Sequence, residues 1–382
     1  MNAGAGSHSL GEEIRLMIES EGPVGFDRFM SLALGHPRFG YYITRDPFGL
    51  GGDFTTAPEI SQMFGELIGL WSAEVWAGMG EPSEINLVEL GPGRGTLMRD
   101  ALRALQIVEP FASAIRVHLV ETSPVLRARQ QGTLEGCGSP VMWHNRFEEV
   151  PRGPSIIIAN EFFDALPVRH FVRTDRGWFE RLVGLDENGA PGSFRFGLAP
   201  EPEPFIRAEA EVGTVLEIGA AGHRAMAEIA ARLTEDTGAA LVIDYGHIET
   251  SFGETLQAMQ HHMKADPLED PGNADITAHV DFASLARAAK AAGAQTHGPV
   301  AQGDFLTSLG IFERAAGLKK RADPRQSIDI DRSLLRLVSK GREMGIDGKM
   351  TPSMGALFKV LAVTSPGLHP PGFDSLHGEG QR

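Results

Sequence analysis

At 382 residues, 42% of them apolar, the chain is long enough for one large domain with an accessory part and a sizeable core. A formal charge of -15 and a pI near 5.3, with no run of Lys and Arg, exclude a nucleic-acid binder that works by phosphate neutralisation and suit a cationic ligand. The single Cys137 excludes a disulfide framework or a cysteine zinc site, no stretch nears the roughly eighteen apolar residues of a membrane span, and neither a secretory leader nor an arginine-rich transit segment is seen, so a cytoplasmic protein is expected.

Read in chain order, Leu10 to about Gly80 is mainly helical. Ile14, Met17 and Ile18 share one face, Phe26, Phe29 and Met30 a second, and Met63, Phe64, Leu67, Leu70 and Trp71 a third. The long interruption from His36 to Pro58 is too rich in Gly and Pro for a helix and too aromatic for disorder, which predicts a packed lid. Inside it, Gly51-Gly52-Asp53-Phe54-Thr55-Thr56 and then Pro58-Glu59 read as a turn feeding a helix N-terminus.

From Ile85 onward strands and helices alternate. The strands are expected at Ile85–Leu90, Arg116–Glu121, Pro140–Trp143, Ser155–Asn160, Ala239–Asp244, Ala294–His297 and Ala356–Thr364, a pattern that predicts an α/β fold with a mostly parallel sheet covered on both faces. Between Val168 and about Val215 shorter alternating runs, with turns at Asp175-Arg176-Gly177 and Glu187-Asn188-Gly189, predict an inserted antiparallel section. The Pro- and Gly-rich tail from Pro366 to Arg382 is expected to be mobile.

The most informative stretch is Glu89-Leu90-Gly91-Pro92-Gly93-Arg94-Gly95, a glycine turn between an apolar strand and a helix. Glycines at alternate positions let backbone approach a ligand, and the helix that follows presents free N–H groups. A dinucleotide fingerprint needs G-x-G-x-x-G, whereas Thr96 stands where the third glycine would fall. Glu89 points the same way, because a carboxylate repels a pyrophosphate but pairs with the ammonium of S-adenosylmethionine. A tight turn with no ligand is the competing reading. About thirty residues on, Glu121 closes the next strand, where an acidic side chain is the usual partner of a ribose diol.

A second polar cluster, Asn160-Glu161-Phe162-Phe163-Asp164-Ala165-Leu166-Pro167, follows the apolar strand Ile156–Ala159, at the strand ends where open α/β sheets bind ligands. Asp244 closes a further strand and is expected near Asn160. Whether Asp244 or His279 touches substrate is left open, and Asp281 is expected to cap the helix Phe282–Ala291. The pair His261-His262 lacks a carboxylate at ligand spacing, so no metal is expected.

These residues resemble a known family. Gly51 to Phe54, Ala57 to Glu66, Glu89 to Leu97, Asn160 to Val168, Asp244-Tyr245-Gly246, Asp275 to Phe282 and Gln302 to Phe305 are similar to the MidA-like S-adenosylmethionine-dependent methyltransferases over nearly the whole chain. That family includes a mitochondrial complex I assembly factor described as a protein arginine methyltransferase. The resemblance implies a class I methyltransferase fold, Rossmann-like, with a seven-stranded sheet whose last strand is antiparallel. It divides the chain into an N-terminal helical and lid region, 1–80, a methyltransferase domain, 81–365, with an insertion at about 168–235, and the tail 366–382.

The resemblance also implies S-adenosyl-L-methionine as cofactor, lined by Gly91, Gly93 and Gly95, with its ribose on Glu121 and its methionine portion or the incoming nucleophile beside Asn160 and Glu161. It implies a protein substrate, by family an arginine of a respiratory-complex subunit. No nucleic acid or inserted membrane segment is expected as partner, and a homodimer is one option for the oligomeric state. A guanidinium acceptor needs carboxylates to orient it and take its proton; the candidates are Glu161, Asp164, Asp53 and Glu59, in that order. The paired-glutamate loop of the common arginine methyltransferases is not seen. An assembly chaperone that keeps the fold, or a small-molecule methyltransferase, remain alternatives.

Overall fold

The computed structural model describes residues 9–47, 56–190, 192–261, 263–344 and 350–373. The expectations placed on Gly51 to Thr55, Asp53 among them, lie outside the described residues.

α1 (Leu10–Glu21) starts where the Ser9 hydroxyl accepts from the Glu12 amide, and it buries Leu10, Ile14 and Ile18. β1 (Val24–Gly25) and α2 (Phe26–Gly35) follow, and α2 buries Phe26, Phe29 and Met30. α3 (Ala57–Ile60) is one turn, and α4 (Gln62–Gly78) is capped by Ser61 and buried on most of its surface. Strand and helix then alternate through β2 (Ile85–Leu90), α5 (Thr96–Leu105), β3 (Ile115–Val120), α6 (Pro124–Leu134), β4 (Val141–His144) and β5 (Ser155–Asn160). β6 (Arg169–Thr174), β7 (Gly177–Leu185), β8 (Phe194–Leu198) and β9 (Val215–Ile218) are followed by α7 (Ala220–Asp236) and β10 (Gly238–His247). α8 (Phe282–Ala291), β11 (Gln295–Ala301), α9 (Ile311–Lys319), α10 (Pro324–Val338) and β12 (Phe358–Thr364) complete the elements used below.

The chain forms two compact units. One gathers the described residues of Met1–Pro47, Ala165–Gly222 and Ser251–His279. Its antiparallel sheet runs β1-β7-β6-β9, with β8 on β7, and Phe26, Phe29, Met30, Tyr41, Val183 and Ile276 fill its core. Glu217 on β9 fastens the last of these segments by accepting from the Thr255 amide at 2.9 Å and the Leu256 amide at 3.1 Å. Tyr41, in the interruption after α2, is fully buried, while Phe48 and Phe54 of the expected lid lie outside the described residues.

The other unit holds the described residues of Phe48–Asp164, His223–Thr250 and Val280–Arg382. Its main sheet follows the path β11-β12-β10-β5-β2-β3-β4, and the two-residue strand Val280–Asp281 pairs with the end of β10. β4, β3, β2, β5 and β10 are mutually parallel, while β12 runs antiparallel to both β10 and β11. β2 and β5 are buried at every position, which explains why their sequences show unbroken apolar runs instead of alternation. Met354–Leu357 make a helical turn, so β12 begins at Phe358 rather than at Ala356. The chain beyond β12 packs as far as Phe373: Leu368 is buried and the Trp71 indole donates to the Pro371 carbonyl at 3.1 Å. The mobile tail expected from Pro366 is corrected over those residues, because Leu368 and Phe373 give it apolar anchors.

Two glycines on α4 set the position of α5. A Cβ on Gly65 would lie 2.8 Å from the Leu97 carbonyl oxygen, and one on Gly69 would lie 2.8 Å from the Ala101 Cα. Backbone contact this close fixes α5, and hence the loop that leads into it, against α4. Beneath it, Glu66 accepts from Arg314 at 2.7 and 2.9 Å and from Arg103 at 2.9 Å, which ties α4, α5 and α9 together.

Candidate functional site

After β2 the strand order reverses: β3 and β4 extend the sheet on one side and β5 lies on the other. The crevice beyond the carboxyl ends of β2 and β5 is therefore the expected ligand position. Register confirms the juxtaposition, since Leu90 pairs with Ala159, which puts Gly91 and Asn160 side by side.

Glu89 is 3% exposed, and its Oε2 has no hydrogen-bond partner among the described residues. Burial alone pushes its carboxyl up to about 8. Gly91, Gly93 and Gly95 have φ of 60°, 51° and 79°, left-handed values that a side chain resists. A Cβ on Gly91 would also approach the Phe162 ring to 3.2 Å. The Gly95 amide donates to the Pro92 carbonyl at 2.7 Å, and α5 begins with no side-chain cap. Thr96 donates its hydroxyl to Glu59 Oε1 at 2.5 Å, so the α3 turn is tethered above the loop.

At the end of β5, Asn160 is 9% exposed and its Oδ1 is unpartnered, while its Nδ2 donates to Glu161 Oε1 at 3.2 Å. Glu161 adopts φ 50°, a left-handed conformation uncommon outside glycine, and its carboxylate accepts from the Ala57 amide at 3.3 Å, at the start of α3. Asp244, fully buried at the end of β10, holds this turn in place. Its Oδ2 accepts from the amides of Phe163 at 3.0 Å and Asp164 at 3.2 Å, and its Oδ1 from Tyr245 at 2.9 Å. Burial, and then the neighbouring carboxylates of Asp164 and Glu161, raise the Asp244 carboxyl well above the usual range.

The cleft so formed is lined by Glu59, Glu89, Gly91, Gly93, Asn160 and Glu161 among others. Six residues singled out for donor or acceptor, Glu59, Glu89, Gly91, Gly93, Asn160 and Glu161, thus meet. Gly95, Glu121 and Asp164 do not line it: Gly95 starts α5, Asp164 is buried behind Phe163, and Glu121 lies at the end of β3. Glu121 Oε1 accepts from the Ser123 amide at 2.7 Å and Oε2 from Gln130 at 3.2 Å. Burial raises its carboxyl above the ordinary range.

Gln130 escaped the sequence reading. It is completely buried on α6, donates to both the Gly93 carbonyl at 2.8 Å and Glu121, and accepts from the Trp143 indole at 2.8 Å. It therefore joins the glycine loop to Glu121. The signal for it was weak, a polar residue on the inward face of a helix. Asp281 caps α8 as expected, accepting from the Ser284 amide at 2.9 Å, and the His279 amide donates to Thr255.

Comparison with known proteins shows the family. A family profile described as "Putative S-adenosyl-L-methionine-dependent methyltransferase" matches residues 67–300. The mitochondrial protein arginine methyltransferase NDUFAF7 of Danio rerio is 40% identical over 333 residues, 80% of this chain and 78% of the relative. Its Homo sapiens counterpart is 37% identical over 372 residues, 91% and 81% of the two chains. A Burkholderia thailandensis protein, solved bound to S-adenosyl-homocysteine, superposes with a TM-score of 0.80 at 30% identity, covering 94% of this chain and 92% of its own. The chain belongs to this methyltransferase family.

It is an S-adenosyl-L-methionine-dependent methyltransferase with an α/β methyltransferase fold. The residues present fit that donor: among the described residues two buried acceptor atoms, Asn160 Oδ1 and Glu89 Oε2, lack protein partners, and the glycine loop beside them has no side chains at Gly91, Gly93 and Gly95 to keep a ligand from its backbone. One expectation is overturned. The NDUFAF7 relatives are named as mitochondrial proteins, against the cytoplasmic reading. Glu12 and Glu13 belong to the first turn of the folded helix α1, where acids complement the helix dipole, and carry no information on compartment.

Proposed function

We propose that this methyltransferase modifies an arginine side chain of a protein, by family resemblance a subunit of a respiratory complex. The observation that carries the reading is the set of carboxylates at the cleft, Glu161 with Glu59, beside a donor site whose own acid, Glu89, is buried separately. The relatives named as protein arginine methyltransferases support the same acceptor.

The bound donor supplies a methyl group on a positively charged sulfur with a good leaving group, so the protein contributes alignment and charge placement. On this reading Glu89 and Asn160 take the ammonium end of the donor, the backbone of Gly91 to Gly95 lies along it, and Glu121 takes the ribose with the acceptor capacity that Ser123 and Gln130 leave. Glu161 orients the guanidinium by charge-assisted hydrogen bonds and accepts the proton that the methylated nitrogen gives up. Its left-handed backbone supports that role, since strain of this kind, about 1–3 kcal/mol, concentrates at functional turns. Asp164 and Asp244 act behind it, Asp244 by holding the turn.

Tritiated-methyl labelling of a lysate from cells lacking the protein tests the acceptor. The expected result is a labelled protein whose acid hydrolysate contains methylarginine, lost with Glu161→Gln while S-adenosyl-homocysteine still binds. Label confined to small molecules, or to another amino acid, would refute the arginine reading.

A further inference from the structure

Charge is unevenly spread along this acidic chain. Residues 311–344 hold nine Lys and Arg against five Asp and Glu, a net of +4, so the remainder carries -19. Seven of these basic residues lie on α9, α10 and their connection, and Lys340 and Arg342 follow α10. Arg314 is committed to Glu66, Lys319 to Asp331 and Lys340 to Asp304, while Arg332 lies 3.7 Å from Asp329 in a pair exposed on both sides, which solvent leaves weak. Lys320, Arg321, Arg325 and Arg336 are exposed and, among the described residues, form no ion pair.

α10 arranges part of this charge in register with apolar groups. Leu334 and Leu337 face its unit's core, and Asp323 with Gln326 closes a capping box at its start. On the outer side, Arg325, Arg332 and Arg336 recur at helical spacing and form one stripe. Beside it lie Ile328, 51% exposed, and Leu335, 63% exposed, seven residues apart on the same face. The inner edge of the same helix touches the α3 turn: the Ser333 hydroxyl donates to the carbonyl of Ile60, the residue after the cleft-lining Glu59, at 3.2 Å.

We propose that the outer face of α10 docks an acidic segment of the protein acceptor, carboxylates meeting Arg325, Arg332 and Arg336 and apolar side chains covering Ile328 and Leu335; the identity of this partner as the acceptor rests on the protein-substrate reading above. Charge complementarity chooses the occupant. An interfacial helix would need a broad apolar stripe, whereas this face offers a bilayer only two exposed apolar side chains, Ile328 and Leu335. A peptide needs only that width. The contact of α10 with α3 then explains why the anchor is here, since a substrate held on this face is delivered beside Glu59 rather than at a remote surface.

The probe is a fluorescent synthetic helix of alternating Glu and Leu turns, titrated with the full-length protein by anisotropy. Binding is expected to weaken about tenfold from low to physiological salt, and at least tenfold in the double variant Arg325→Glu/Arg336→Glu. Arg325→Lys/Arg336→Lys should keep it, and all forms should bind S-adenosyl-homocysteine alike, which shows they are folded. Equal peptide binding by the reversed-charge variant, no peptide binding by the native protein, or stronger binding to phosphatidylglycerol vesicles would overturn the docking surface. Lysate labelling separates the two readings. If a protein is methylated equally by native and reversed-charge enzyme, docking on α10 is wrong and the protein acceptor stands; if neither labels a protein, the acceptor reading falls, and the peptide titration alone judges the surface.

Discussion

Replacing Glu89 by Gln separates two effects of one buried carboxyl. In the free protein its value of about 8 means it is mostly protonated at pH 7, whereas in the unfolded chain, at its ordinary 4.5, it is ionised. An acid whose folded value is raised gives stability that is full below 4.5 and is lost as pH rises from 4.5 to 8. At pH 7 the loss is about 3 kcal/mol, from a shift of roughly 3.5 units at 1.36 kcal/mol each, less the unit still to be traversed. Glu89→Gln is neutral at every pH, so the ligand-free variant should melt several degrees higher at pH 7 than the native protein and no higher at pH 4. Binding should move the opposite way. A donor ammonium that pairs with Glu89 must first ionise it, so native affinity for S-adenosyl-homocysteine should tighten about tenfold from pH 6 to pH 7 and level off above 8. About 0.9 proton should leave on binding at pH 7, read by calorimetry in buffers of different ionisation enthalpy. The variant should bind about tenfold to hundredfold more weakly at pH 8, with no proton released from this site. Native binding without proton release, or a variant that binds as tightly and melts no higher, would show that Glu89 does not face the donor's cation.

Gly93→Val forces a β-branched residue into φ 51° and should cost about 1–2 kcal/mol of stability while abolishing calorimetric donor binding; a variant that binds normally would remove the loop from the site. Glu66→Ala leaves Arg103 and Arg314 without their shared carboxylate; because both are half-exposed and can rehydrate, a loss of about 2 kcal/mol is expected in urea unfolding rather than the larger cost of a fully buried pair. The two guanidinium groups overcome burial and hold Glu66 below its ordinary value, so this contribution is present above pH 4.5 and should fade as pH falls through the folded value. Burial and the neighbouring His144 push the His118 imidazole down to about 4, so stability should decline as pH drops from 6.5 toward 4, and His118→Gln should lose that portion of the pH profile.

The sheet was largely readable because its strands are buried on both faces. Ile156, Ile157 and Ile158 have no alternation to confuse, and the glycine turn after Leu90 marks where the strand ends. Less legible was how chain segments distant in sequence combine. Nothing in the run from Ser251 to His279 announces that it joins the unit built from α1, α2 and β6 to β9, because the link is made by single groups, the Glu217 carboxylate on the amides of Thr255 and Leu256. Gln130 was invisible for a related reason: its partners, a backbone carbonyl at Gly93 and a carboxylate at Glu121, leave no periodic trace in sequence.

The acceptor side shows where motif and chemistry part. Asn160, Glu161 and Asp164 were grouped as one polar turn, yet the fold gives them different work, and the difference follows from one φ angle. With Glu161 left-handed at 50°, its carboxylate swings to the Ala57 amide and the cleft, while the chain turns Asp164 inward to 7% exposure. That conformation is costly for a residue with a Cβ and needs a restraint on each side. Ile243 supplies one, its carbonyl accepting from the Glu161 amide at 2.8 Å, and Asp244 supplies the other by binding the next two free amides. Asp244 therefore stands apart from the carboxylates that could meet a guanidinium: both of its oxygens are spent on backbone, and its effect on methyl transfer passes through the position of Glu161.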